Sequence, residues 1–248
     1  MRRNWSEDEV RAALLLYLRL EFGKFHKGNP DVIALASRIG RSASAVALKL
    51  TNLAALDDSV PQRGMANASA TDRKVWQQFL TSPETLIRDT TPLAGSDDLP
   101  AVDGFAERQS RYEAQQSQPQ ATTITRRQGQ GFFREMILAS YRSRCALTGL
   151  EDTRLLTASH IVGWAEDRLL RFNPHNGLCL NALHDRAFDR HLISFDEDYR
   201  MIIAPDVPKA ARSQLERTDS TRLAMPARFL PSQDFLERHR RHMWLRCN

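Results

Sequence analysis

The stretch "FNPHNGLCLNALHDRAFDRHLISFD", residues 172–196, concentrates His, Asn and Asp around a few apolar residues. Side chains of these types cluster for two reasons. They build turns that cap helices, or they converge on a metal ion. Upstream, His160 ends the apolar run of "TRLLTASHIVGW" (153–164), which has β-like character, so its backbone is expected in a sheet. Asn176 sits beside Gly177 in a turn after Pro174, and His184 lies eight positions further on. A strand histidine, a turn asparagine and a helix histidine can converge if the helix folds back over the hairpin. Such a set supplies an imidazole base, an orienting amide and a metal ligand, the parts that metal-assisted hydrolysis requires. Either histidine alone reads more simply as a structural residue; only the set points to chemistry.

The elements that must position these residues are legible. "FFREMILASY" (132–141) reads as a helix, and "LCLNALHDRAFDRHL" (178–192) as a second. "LISFDEDYRMIIA" (192–204) looks like two short strands around an acidic turn, and "PSQDFLERHRRHMWLRC" (231–247) like an amphipathic helix. The order helix, strand, loop, helix, hairpin makes this part α+β. The N-terminal part is helical. Ser6 with Glu9 forms a capping box, Pro30 suits a helix start, Gly40 a stop and Ser42 a new N-cap. Two short helices joined at Gly40 have a helix-turn-helix shape, in which Arg41 and Lys49 are the cations expected to meet DNA. "ATDRKVWQQFL" (70–80) closes that part. Residues 83–122 are rich in Pro, Ser, Asp, Gln and Thr without a sustained apolar period. The expected layout is a helical targeting domain over 1–82, a linker over 83–124 and a second domain over 125–248.

Composition bounds the function. Apolar residues at 42% support a packed core, and no run is long enough for a membrane span. The acidic "SEDE" interrupts the N-terminal apolar patch, which argues against a secretory leader. Three cysteines form no disulfide framework and fit a reducing cytoplasm. Net charge is +5, with +4 over residues 1–80, −4 over 81–124 and +4 over 206–248. Basic ends suit a polyanionic partner.

The pieces "RCALTG" (144–149), "ASHIVGW" (158–164), "NPHNGLCLNALHDRAFD" (173–189) and the trailing "LISFDEDY" occur in one order. Together, Thr125 to Ala204 resembles the HNH endonuclease family, in its restriction and defence branch, whose core is a ββα-metal fold. The resemblance implies that His160 is the general base that deprotonates the attacking water. It implies that Asn176 holds His160 in position, and that His184 holds a divalent metal, Mg²⁺ or Mn²⁺ and in some relatives Ni²⁺ or Co²⁺. Arg126, Arg127, Arg168 and Arg171 are expected to hold a DNA backbone. Two departures stand out. Many members carry Asp or His directly before the base, where this chain has Ser159, so another residue such as Asp185 would have to help. Members with structural zinc carry two Cys-x-x-Cys pairs, whereas here Thr148, Leu180 and Leu183 occupy three of those four positions, so no structural zinc is expected. Cys145 and Cys179 are then small buried apolar residues. His191 is read as a helix C-terminal cap, and His239 and His242 as a solvated basic face.

The leading expectation is a cytoplasmic, metal-dependent endonuclease acting on double-stranded DNA, in restriction or defence; the resemblance also implies a dependence on modified DNA, as in stand-alone enzymes of this branch, although no residue identifies a modified base. Paired cuts in a duplex favour a homodimer. Two alternatives remain open at this point: a non-catalytic DNA-binding regulator with a degenerate HNH fold, and an RNA-directed nuclease.

Overall fold

The apolar run of the first helix has no polar side, and the fold follows from having to cover it. The computed structural model describes residues 3–60, 67–94 and 120–247. The chain divides into two compact units, Met1–Leu99 and Pro100–Asn248. It is a mix of helices with two small sheets, an α+β protein, and no helix among the described residues is long and apolar enough to cross a membrane.

In the first unit, α1 (Glu7–Arg19) starts at Ser6, whose side chain accepts from Glu9 N while the Glu9 carboxylate accepts from Ser6 N. Val10 and every residue from Ala12 to Leu18 are buried. A helix that is apolar all round must be surrounded. The helices α2 (Pro30–Arg38), α3 (Ala43–Ala54), α4 (Ala70–Thr81) and α5 (Pro83–Ala94) all contact it. Asn29, Ser42 and Ser69 cap α2, α3 and α4 with their side-chain oxygens. Gly40 takes φ +63°, which ends α2 and admits the turn into α3. The helix α5 corrects the sequence expectation of a linker from residue 83. Leu86, Ile87 and Thr90 fall on one face and are buried, closing a side of α1 that the other helices leave open. Residues 95–119 of the expected linker lie outside the described residues.

In the second unit, α6 (Gln120–Ser140) lies against a two-stranded antiparallel sheet of β1 (Leu156–His160) and β2 (Gly177–Asn181). The register pairs Ala158 with Cys179 and His160 with Gly177. The helix α7 (Ala182–Asp189) follows β2 directly. Residues 178–181 were expected to be helical and are instead strand. Asn181 is the switch: its Oδ1 accepts from Leu183 N and His184 N, so the helix cannot start before it. Gly177 is fixed by a close approach, since a Cβ there would lie 2.3 Å from Ile137 Cδ1 of α6. A hairpin of β3 (Ile193–Phe195) and β4 (Met201–Ile203) comes next, then α8 (Lys209–Leu215) and α9 (Gln233–Cys247), which packs on β3.

Candidate functional site

His160 sits at the last position of β1, with its backbone held opposite Gly177. Its ring lies flat on Phe133 of α6, centroids 3.8 Å apart and planes 12° apart, and meets the edge of Trp164 at 5.5 Å. Its Nε2 is 3.0 Å from the carbonyl oxygen of Arg171. A carbonyl only accepts, so Nε2 carries the hydrogen, and a neutral His160 then has its lone pair on Nδ1. Aromatic packing fixes the ring plane, and one hydrogen bond fixes the tautomer. The residue is half-buried.

Asn176 is fully buried and uses its whole amide. Oδ1 accepts from Val162 N at 2.8 Å, and Nδ2 donates to the carbonyls of Val162 and Leu170, each at 3.1 Å. Its own carbonyl accepts from Ile161 N at 3.0 Å. The side chain therefore ties the exit of β1 to the far end of the 161–175 loop. Its partners are neighbours in sequence of His160 on one side and of Arg171 on the other. Positioning of the imidazole through backbone is the chemistry such an arrangement can perform.

His184 departs from the metal-ligand role that the HNH resemblance implies. It is 1% exposed, with Nδ1 at 3.0 Å from Asn181 Oδ1 and Nε2 at 3.0 Å from the carbonyl of Leu215 in α8. Both ring nitrogens point at protein oxygens, and burial pulls its pKa below the usual histidine value, with the Leu215 bond acting in the opposite direction. Among the described residues, no three His, Cys, Asp or Glu side chains converge where they could hold an ion. As placed, His184 is a buried tie between α7 and α8. The residue before the base makes a different contact: Ser159 Oγ donates to Asp185 Oδ1 at 2.6 Å, with both side chains buried.

The expected DNA-binding cations divide. Lys49 is buried against Asp72, with Nζ at 2.7 and 2.9 Å from the two carboxylate oxygens. Arg41 donates to Glu9 and to the carbonyls of Arg3 and Asn4, and its guanidinium lies 4.3 Å from the Trp5 ring centroid. Both are spent inside the first unit, a correction to their sequence reading as DNA contacts. Arg126 and Arg127 fall on α6, and their side chains lie outside the described residues. Arg168 is exposed. Arg171 donates from Nε to the Trp164 carbonyl at 2.9 Å and stands over that indole at 4.9 Å.

Sequence reasoning passed over several supports. Phe133, Trp164 and Phe172 form an aromatic wall beside the base, with Trp164 and Phe172 meeting edge to face at 5.5 Å. Trp164 and Phe172, which follow "HIVG" closely, were the available signal, whereas Phe133 stands far upstream on another element. His239, read as part of a solvated face, is instead 3% exposed and stacks on Phe188 at 3.8 Å, with Nε2 near the Phe188 carbonyl and His191 Nδ1, and Nδ1 near Ser194 Oγ. His191 takes φ +53° and closes α7, its N donating to Phe188 O and Leu192 N to Ala187 O. Cys145 Sγ accepts from Asn181 N at 3.2 Å, and burial pushes the Cys179 thiol up to about 12.

Residues 145–196, which contain His160, Asn176 and His184, match a family model described as HNH endonuclease. Comparison with curated proteins found no match.

Proposed function

The chain carries an HNH endonuclease segment at residues 145–196, and on that premise we propose that it is a nuclease that hydrolyses phosphodiester bonds of double-stranded DNA with His160 as general base. One observation carries the reading. Nε2 of His160 faces the Arg171 carbonyl within a loop clamped by Asn176, so a neutral ring has its lone pair on Nδ1. Nδ1 takes a proton from water as the water oxygen bonds to phosphorus and the opposite P–O bond breaks. The ring becomes imidazolium, a charge the Arg171 carbonyl dipole favours through the Nε2–H it already accepts. The leaving alkoxide takes its proton from solvent.

The family resemblance implies a divalent ion, and His184 does not fit that task as the structure places it. The target-selecting role of the N-terminal helical unit, a restriction or defence setting, a cytoplasmic location and a homodimer complete this reading and rest on the resemblance. The test is cleavage of plasmid and phage DNA, modified and unmodified, and of RNA, with Mg²⁺, Mn²⁺, Ni²⁺, Co²⁺ or a chelator. Cleavage by the wild type and none by His160→Ala is expected; intact DNA under every condition overturns the reading.

A non-catalytic regulator is favoured by one specific observation, the burial of His184 with its Nε2 hydrogen-bonded to the Leu215 carbonyl. No metal binding by the wild type, together with DNA binding and no cleavage, would select it.

A further inference from the structure

The loop that carries the Arg171 carbonyl also presents a leucine to solvent. Arg168–Leu170 forms one 3-10 turn, and Leu169 within it is 80% exposed. Single exposed leucines are ordinary on protein surfaces, so the argument rests on where this one stands and how it is held. Asp167 Oδ1 accepts from Leu169 N at 3.0 Å. The next carbonyl, of Leu170, accepts from Asn173 N and from Asn176 Nδ2, each at 3.1 Å. The carbonyl after that, of Arg171, holds His160. The inner side of the loop is filled by Trp164 and Phe172, both buried. The tip is thus built onto the same clamp as the base, and its leucine is left over from the packing.

Two residues of chain span at most about 7 Å, and successive base pairs rise about 3.4 Å. The imidazole lies between this loop and the Nδ1 side where a phosphate would be presented, so in a duplex bound over His160 the base steps flanking that phosphate would meet Leu169. The exposed Arg168 beside it carries the charge to meet an adjacent phosphate. Apolar side chains that enter a groove in this way lever base steps apart and kink the duplex. Resting on the nuclease reading above, we propose that Leu169 is an apolar wedge that enters the duplex beside the scissile phosphate and unstacks a base step.

Unstacking unwinds DNA, which gives a readout independent of target sequence and of cleavage. Closed plasmid is relaxed by a topoisomerase in the presence of the full chain carrying His160→Ala, and the topoisomers are compared. The wedge predicts a shifted distribution that disappears when Leu169→Ser is added and persists with Leu169→Met, which stays apolar. In the chain with His160 intact, Leu169→Ser is expected to lower duplex cleavage about tenfold or more, and Leu169→Met to restore it. Equal cleavage and equal topoisomers for Ser and Met overturn the wedge while leaving the nuclease reading standing. A wild type that never cuts, with a topoisomer shift that still depends on Leu169, overturns the nuclease reading and supports the wedge. No shift with any variant overturns the wedge.

Discussion

Nε2 of His160 lies 3.0 Å from the carbonyl oxygen of Arg171, eleven residues further along the chain, and this contact divides the labour between the two ring nitrogens. Nε2 is committed to a backbone carbonyl, which puts the lone pair of a neutral ring on Nδ1. If His160 is the base, His160→Ala lowers the cleavage rate by about 10²–10⁴-fold, the usual range for loss of a general base. Single-turnover cleavage under saturating enzyme checks this, and a rate unchanged within twofold rejects the assignment.

Asn176 satisfies three backbone groups at once. Asn176→Asp keeps an acceptor for Val162 N but turns a carboxylate oxygen toward the carbonyls of Val162 and Leu170, where a donor stood. Each buried group left unpaired costs about 1–3 kcal/mol, and more where a charge is involved. Thermal unfolding should show a clear fall in Tm, and cleavage should fall beyond what the unfolded fraction explains. An unchanged Tm would show that the clamp is not needed.

Lys49 and Asp72 are a buried ion pair, with Asp72 also capping α4 by accepting from Ser69 N at 2.9 Å. Lys49→Met leaves that carboxylate buried without its cation, a loss of about 3–5 kcal/mol by analogy with other broken buried pairs. Urea unfolding measures it. DNA affinity of the folded fraction should not change, and a selective loss of affinity would return Lys49 to the interface.

His239 supplies a pH dependence. Burial first, then the neighbouring His191, pulls its pKa down to about 3. Below the ordinary histidine value of 6.5 the unfolded chain binds a proton that the folded chain refuses. The stability that the neutral, buried His239 contributes is therefore complete above 6.5 and lost as pH falls from 6.5 toward 3, at up to about 1.4 kcal/mol per pH unit. Urea midpoints between pH 7.5 and 5 should decline, and His239→Gln should flatten the decline. Equal slopes for the two proteins would remove His239 as the cause.

Much of the local structure was written in the sequence, because it depends on near neighbours. Ser6 with Glu9, Asn29 before Pro30, and Ser42 after Gly40 each set a helix end through bonds that reach three or four residues. The HNH segment was legible for a similar reason: "SHIVGW" and "NPHNGLCLNALHD" carry residue types at fixed spacing. The chain also announced the strand of His160 and the turn of Asn176. Residues 178–181 were misread because a short apolar run fits a strand or a buried helix equally well, and pairing with β1 decides between them.

What only the tertiary structure decided is the partner of each polar group. Lys49 and Arg41 look like phosphate ligands until Asp72 and Glu9 arrive from other helices to neutralise them. Leu86 and Ile87 look like part of a linker until α1 requires cover. His184 looks like a metal ligand until the Leu215 carbonyl, 31 residues away, meets its Nε2. Sequence fixes what a side chain can donate or accept over short range; whether that capacity is left for a ligand depends on which distant backbone and charges the packed chain brings to it.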